Sequence, residues 1–103
     1  MLSFYTKTYC VNSMIFALAE AKRGNLVTVT KHLLDVYQAI TVIDPTCVTD
    51  WGSPAREAVS LIRDAIEACV ETYFGGTLVS KIQDVSNCRW FMDARHEMSM
   101  KDV

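Results

Sequence analysis

Residues 53–76 read SPAREAVSLIRDAIEACVETYFGG, and the reading of this stretch decides the fold. Ser53-Pro54 opens the run. Gly75-Gly76 supply the stop, as a C-cap and turn, and no glycine or proline interrupts the run between them. At 100° per residue the apolar side chains fill an arc of roughly 200°, wider than an ordinary surface helix needs. That arc holds Ala55, Ala58, Val59, Leu61, Ile62, Ala65, Ile66, Ala68, Cys69, Val70 and Tyr73, with Thr72 its one polar member. Arg56, Glu57, Ser60, Arg63, Asp64, Glu67 and Glu71 share the remaining strip. A helix this apolar must be covered on more than one side. The chain therefore reads as an all-α four-helix bundle built around it, with room for a short fifth helix at the C-terminus.

Two helices precede this one. Phe4 to Arg23 forms the first, ended by Gly24-Asn25, with Lys22 and Arg23 complementing the dipole of its last turn. Phe4, Val11, Met14, Ile15 and Leu18 are its expected core face. Tyr5, Tyr9, Asn12 and Phe16 form a second, mostly aromatic line on the far side. Leu26 to Val42 forms the second helix, where Leu26, Val29, Leu33, Val36, Tyr37, Ile40 and Ile43 gather within roughly 120°. The β-branched run Val27-Thr28-Val29-Thr30 suits a strand as well, but no second strand is evident to pair with it. Asp44-Pro45 ends the element, because a residue before proline is pushed out of the α region. The connection from Pro45 to Ser53 is long and carries Trp51, which reads as a lid on the bundle or, more sharply, as a binding loop.

The last segment begins near Thr77 and carries a phase error. Leu78, Ile82, Val85 and Met92 mark one face, while Trp90, Phe91, Ala94 and Met98 point roughly 160° away at ideal periodicity. Either the helix breaks near Ser86-Asn87, both competent N-caps, or it runs straight and shows an aromatic face to a partner.

Composition bounds the rest. The 103 residues give room for one domain over 1–103, and 50% of them are hydrophobic, a surplus that small domains often bury against a partner subunit. A net charge of −2 is a poor basis for neutralising phosphates. Cys10, Cys47, Cys69 and Cys88 are widely spaced and read as reduced, mostly buried thiols of a cytoplasmic protein. Ala17-Leu18-Ala19 resembles an export cleavage site, but the stretch before it contains Asn12 and Ser13 and is weakly apolar. No apolar run approaches the roughly 18 residues of a membrane span.

The chemistry-bearing patterns are sparse. His32 and His96 are the two histidines, and no nucleophile elbow, phosphate loop or dinucleotide motif is present. His32-x-x-Asp35 and Asp93-x-x-His96 have ligand spacing, yet they fall on polar faces, so no metal and no cofactor is expected. Ala17 to Leu34 superficially matches a helix-turn-helix, but Thr30 stands where a buried aliphatic belongs, and only Lys31 and His32 offer contacts. Glu57, Asp64 and Glu71 repeat every seven residues, which reads as a solvated face or, more sharply, as an acidic ridge suited to a basic partner.

The sequence thus points to a small non-enzymatic protein-interaction module, an adaptor or inhibitor of a larger complex; the chain is expected to be a homodimer, or a monomer that buries one aromatic face only in a hetero-complex. Accessory proteins of phages and mobile elements offer an analogy of size and style. The expected partner-binding residues are Trp90, Phe91, Ala94 and Met98, then Tyr5, Tyr9 and Phe16, then Glu57, Asp64 and Glu71. A DNA-binding regulator is the alternative, and a small enzyme with an unrecognised site comes third.

Overall fold

A strong helix start positions the central element: Ser53 Oγ accepts the N–H of Ala55 at 3.1 Å, and the Ser53 carbonyl accepts that of Glu57 at 3.2 Å. Pro54 follows as the first helical residue, as its fixed φ and missing donor favour. The computed structural model describes residues 2–43, 53–71 and 75–101. Trp51 and Cys47, and with them the reading of their loop as a lid or binding loop, lie outside those residues.

Five helices and no strand make up the described residues: α1 (Leu2–Lys22), α2 (Leu26–Ile43), α3 (Pro54–Glu71), α4 (Gly75–Asn87) and α5 (Arg89–Lys101). Gly75 and Gly76, expected as a cap and turn, instead form the first turn of α4. The β-branched start of α2 is helical, because Val29, Leu33, Val36 and Ile40 bury one stripe that only a helix lines up.

The turn between α1 and α2 is a Schellman motif. Gly24 adopts φ +79°, Asn25 N–H donates to the Glu20 carbonyl at 3.0 Å, and Gly24 N–H donates to that of Ala21 at 3.1 Å. The Glu20 carboxylate then accepts from both Arg23 and Asn25, at 3.0 and 2.9 Å. Asn25 also starts α2, its carbonyl accepting the Val29 N–H at 3.1 Å. One short loop thus reverses the chain.

Helices α1, α2, α3 and α4 form a ring in which each packs beside the next, while the Cα atoms of the diagonal pairs, α1 with α3 and α2 with α4, stay more than 8 Å apart. Helix α5 closes against α1, α3 and α4. Helix α3 is accordingly covered by α2, α4 and α5, as its wide apolar arc demands. Its residues Ala55, Ala58, Val59, Ile62, Ala65, Ala68 and Cys69 are buried, and Leu61 and Ile66 pack partly against them. Val70 departs from the expected arc: it lies at the outer edge and is 80% exposed.

The last segment breaks at Cys88. Its N–H donates to the Val85 carbonyl at 3.2 Å, and its carbonyl accepts from Met92 at 3.0 Å, so it ends α4 and starts α5. The backbone N–H groups of Trp90 and Phe91 bond to its thiol, which takes the capping place expected of Ser86 or Asn87. The position is buried, where a thiol costs less desolvation than a hydroxyl or amide. Arg95 Nη1 bridges the break from the other side by donating to the Ser86 carbonyl at 2.6 Å.

Packing at the centre of α3 should therefore govern stability. Ile62→Ala is expected to cost about 2–5 kcal/mol and Phe91→Ala about 3–5 kcal/mol. Ser60→Ala and Val70→Ala, on the outer side of the same helix, should stay within roughly 0.5 kcal/mol. Urea unfolding followed by circular dichroism reads all four. An unmoved midpoint for Ile62→Ala would overturn this facing of α3.

Candidate interaction surface

Helix α1 is apolar on nearly every side, so the size of its side chains decides which face turns inward. Cys10, Val11, Ser13, Met14, Ala17 and Ala21 are the buried residues. Three of these are alanine or serine, and small side chains let a neighbouring backbone approach closely. Ile15, expected in the core, is 61% exposed, while Phe4 is half-buried and Leu18 packs only partly against the core. The inner face has rotated toward the small residues.

The opposite side carries the aromatic line. Tyr5 is 66%, Tyr9 50% and Phe16 60% exposed, with Asn12 exposed between them. These rings are not loose. Phe16 stacks on His32 of α2 at 6.1 Å between centroids and 19° between planes. The Tyr9 hydroxyl donates to Asp35 Oδ2 at 3.2 Å. Tyr5 meets Phe4 edge to face at 5.7 Å. Helix α2 thus braces the ridge at two points, and rings already held in place lose less freedom on docking.

Helix α2 contributes an outer line that its periodicity also announces. Val27, Lys31, Leu34, Gln38 and Val42 are all exposed, and their first four repeat the spacing of Tyr5, Tyr9, Asn12 and Phe16. Val27, Leu34 and Val42 were not anticipated as surface features. The signal lay in three large aliphatics outside the buried stripe of their own helix.

The other expected partner face is absent from the surface. Phe91 is 0% exposed, Trp90 8%, and Ala94 is buried with them, while Met98 packs partly against the same core. The break at Cys88 resets the phase by roughly half a turn, which brings these four residues into line with Leu78, Ile82 and Val85. Trp90 and Phe91 meet edge to face at 4.9 Å inside the bundle. Their expected role as an exposed groove-binding face is corrected accordingly: they seal the core.

Glu57, Asp64 and Glu71 are exposed on the outer strip of α3, with Glu67 and Ser60 beside them. Because α3 and α1 stand diagonally across the ring, the acidic strip and the aromatic ridge belong to different sides of it. Arg63, at the edge of that strip, donates to the Tyr37 hydroxyl at 2.9 Å and lies 5.5 Å from the same ring's centre, tying α3 to α2.

The helix pair that superficially matches a helix-turn-helix is a long αα-hairpin, in register from its turn out to Tyr9 and Asp35. A DNA-reading pair crosses at about 90–120° instead. His32 lies half-buried under Phe16, which leaves Lys31 as the open contact of the two.

Cys10, Cys69 and Cys88 are free and buried. Burial pushes the Cys10 thiol up from an ordinary 9.0 to about 12. Burial also raises Cys88, against the opposing pull of the Phe91 and Trp90 N–H groups. Among the described residues no three His, Cys, Asp or Glu side chains gather as metal ligands, and no helix is long and apolar enough to cross a membrane. No family model, no curated protein and no solved structure matches the chain.

The Cys10 shift has a measurable consequence. Its thiol keeps its proton in the folded state but loses it once unfolded, so the stability this provides is whole below pH 9.0 and fades as pH rises toward 12. The urea midpoint should fall across that window, and should fall less steeply in Cys10→Ala. Parallel pH profiles of the two proteins would contradict the burial of this thiol.

Proposed function

We propose that this chain is a non-catalytic protein-interaction module that works by docking another polypeptide on the outer face of the α1–α2 hairpin. The observation that carries the proposal is the braced ridge of Tyr5, Tyr9 and Phe16. Aromatic side chains present large, stiff contact surfaces, and they are enriched where binding energy concentrates. Leaving three of them half to two-thirds exposed costs solubility unless another chain covers them. The chemistry inside the chain fits the same reading. The Cys10 and Cys88 thiols are pushed up, away from the thiolate that a nucleophile requires. Within this class the chain acts as an adaptor or inhibitor, changing what a larger assembly does by occupying part of its surface. The acidic strip of Glu57, Asp64 and Glu71 gives it a second face of different chemistry, suited to a basic surface.

A photoreactive phenylalanine analogue placed at Phe16 tests the reading in intact source cells. Irradiation should yield an adduct of discrete mass, and the same analogue at Ser60, on the far side, should not yield that adduct. No adduct from position 16 under conditions where the chain is folded and abundant would overturn the proposal.

A further inference from the structure

The docking face of the hairpin has a chemistry that identifies its occupant. We propose that the outer face of α1 and α2 is covered by a second copy of this chain, packed about a two-fold axis parallel to the helices. This rests on the interaction reading given above and names the partner. Three observations converge on it.

The first is complementarity within the face itself. The Phe16–His32 stack and the Tyr9–Asp35 hydrogen bond fix how α1 and α2 lie alongside each other. Counting out from Phe16 and His32 brings Tyr5 level with Ile43, and counting out from Tyr9 and Asp35 brings it level with Ala39; between the two, Tyr5 lies beside Val42, and Phe16 lies beside Lys31, within a turn of Leu34. A two-fold axis parallel to the helices exchanges α1 and α2 across the interface and keeps each residue at its own level. The aromatic ridge of one copy then meets the aliphatic line of the other. Phe16 falls against Lys31 and Leu34 of the second copy, and Tyr5 and Tyr9 fall against its Gln38 and Val42. The shared spacing of the two lines lets ridge and groove interdigitate.

The second is charge. Lys31 is the one formal charge on the aliphatic line, and the exchange sets it against the face of Phe16, where a cation is attracted. Asp35 sits between the two helices, tied to Tyr9, so it is the one acid that the axis brings toward its own copy, and the Tyr9 hydroxyl already holds its carboxylate. No run of like charge opposes a copy of itself. The outer strip of α3 behaves in the opposite way: Glu57, Asp64, Glu67 and Glu71 outnumber Arg56 and Arg63 there, so a copy laid on it meets net like charge.

The third is area. Helices of 21 and 18 residues rise about 1.5 Å per residue and lie about 10 Å apart, so the hairpin offers a face on the order of 600 Å² in projection. Side-chain relief adds to that, which brings it near the roughly 800 Å² per partner of a standard interface. The aromatic ridge alone, at roughly 350 Å², falls short. A partner that covers both helices matches the area, and a single docked peptide helix does not. The pairing also leaves both acidic strips facing outward, so the dimer presents two identical faces to further partners.

Sedimentation velocity on the full chain across a dilution series tests this. Wild type should shift from monomer to dimer below about 100 μM. Phe16→Glu on the ridge and Leu34→Glu on the aliphatic line should each weaken the dimer by about 30-fold or more. Both positions are exposed, and circular dichroism melts confirm that each variant is folded. Glu67→Lys on α3 should leave the dimer unchanged. A wild type that stays monomeric at 100 μM overturns the inference, as does a dimer that survives both ridge and line variants. A foreign polypeptide captured at position 16 together with a monomeric wild type would keep the interaction reading and remove the second copy. Dimerisation abolished by Glu67→Lys would place the contact on α3 and remove this face as its site.

Discussion

Everything in this structure follows from the burial of α3. Its apolar arc is too wide for two neighbours to cover, and α2 and α4 leave one flank open. Helix α5 supplies the missing cover, but only because the chain breaks at Cys88. A straight continuation of α4 would swing Trp90 and Phe91 outward and leave the flank of α3 wet. The break costs helix hydrogen bonds at both sides. The Cys88 thiol and the Arg95 guanidinium replace them, one accepting from the start of α5 and the other donating to the end of α4. A local capping arrangement thereby determines what the surface looks like. With Trp90 and Phe91 inside, the aromatic residues left outward among the described residues gather on α1.

The polar contacts between helices contribute little energy and a good deal of direction. Lys7 and Glu97 meet at 3.0 Å and join α1 to α5, but both side chains are still partly open to water, so the pair adds only about 1 kcal/mol. The Tyr9–Asp35 bond and the Phe16–His32 stack are exposed or partly so and are comparably weak. Their effect is to fix the angle at which the α1 ridge stands relative to α2. Small residues beneath the ridge complete the arrangement, since Ala17 and Ala21 leave no bulk on the inner face that would roll the helix over.

How much of this was legible in the sequence depended on contrast between faces. Helix α3 has a polar strip against a broad apolar arc, and its facing could be read directly, except at Val70 on the margin. Ser53-Pro54 and Gly24 announced their ends because each has a specific backbone role. Helix α1 offered no such contrast: Ile15 and Ala17 are both apolar, and only packing geometry sends the smaller one inward. The C-terminal phase error was visible in the spacing of Val85 and Trp90, and it left open both a break and a straight helix with an outward aromatic face. Which residue would cap the new helix was not visible, because cysteine is a rare cap and Ser86 and Asn87 are common ones. Gly75-Gly76 misled for a related reason, as glycine pairs usually end helices and here they begin one. For the interaction face, the aromatic line of α1 was legible as a stripe, while Val27, Leu34 and Val42 were hidden among the apolar residues of a largely apolar helix.

A single core draws Trp90 and Phe91 inward and leaves Tyr5, Tyr9 and Phe16 outside, and the proposed dimer would cover them with a second chain. Solvent paramagnetic relaxation measured by NMR on the aromatic protons, in a dilute and in a concentrated sample, tests it most directly. The prediction is that Trp90 and Phe91 stay protected in both samples, while the α1 rings are strongly attenuated when dilute and become protected when concentrated. Attenuation of Trp90 in the dilute folded protein, or α1 rings equally exposed at both concentrations, would contradict it.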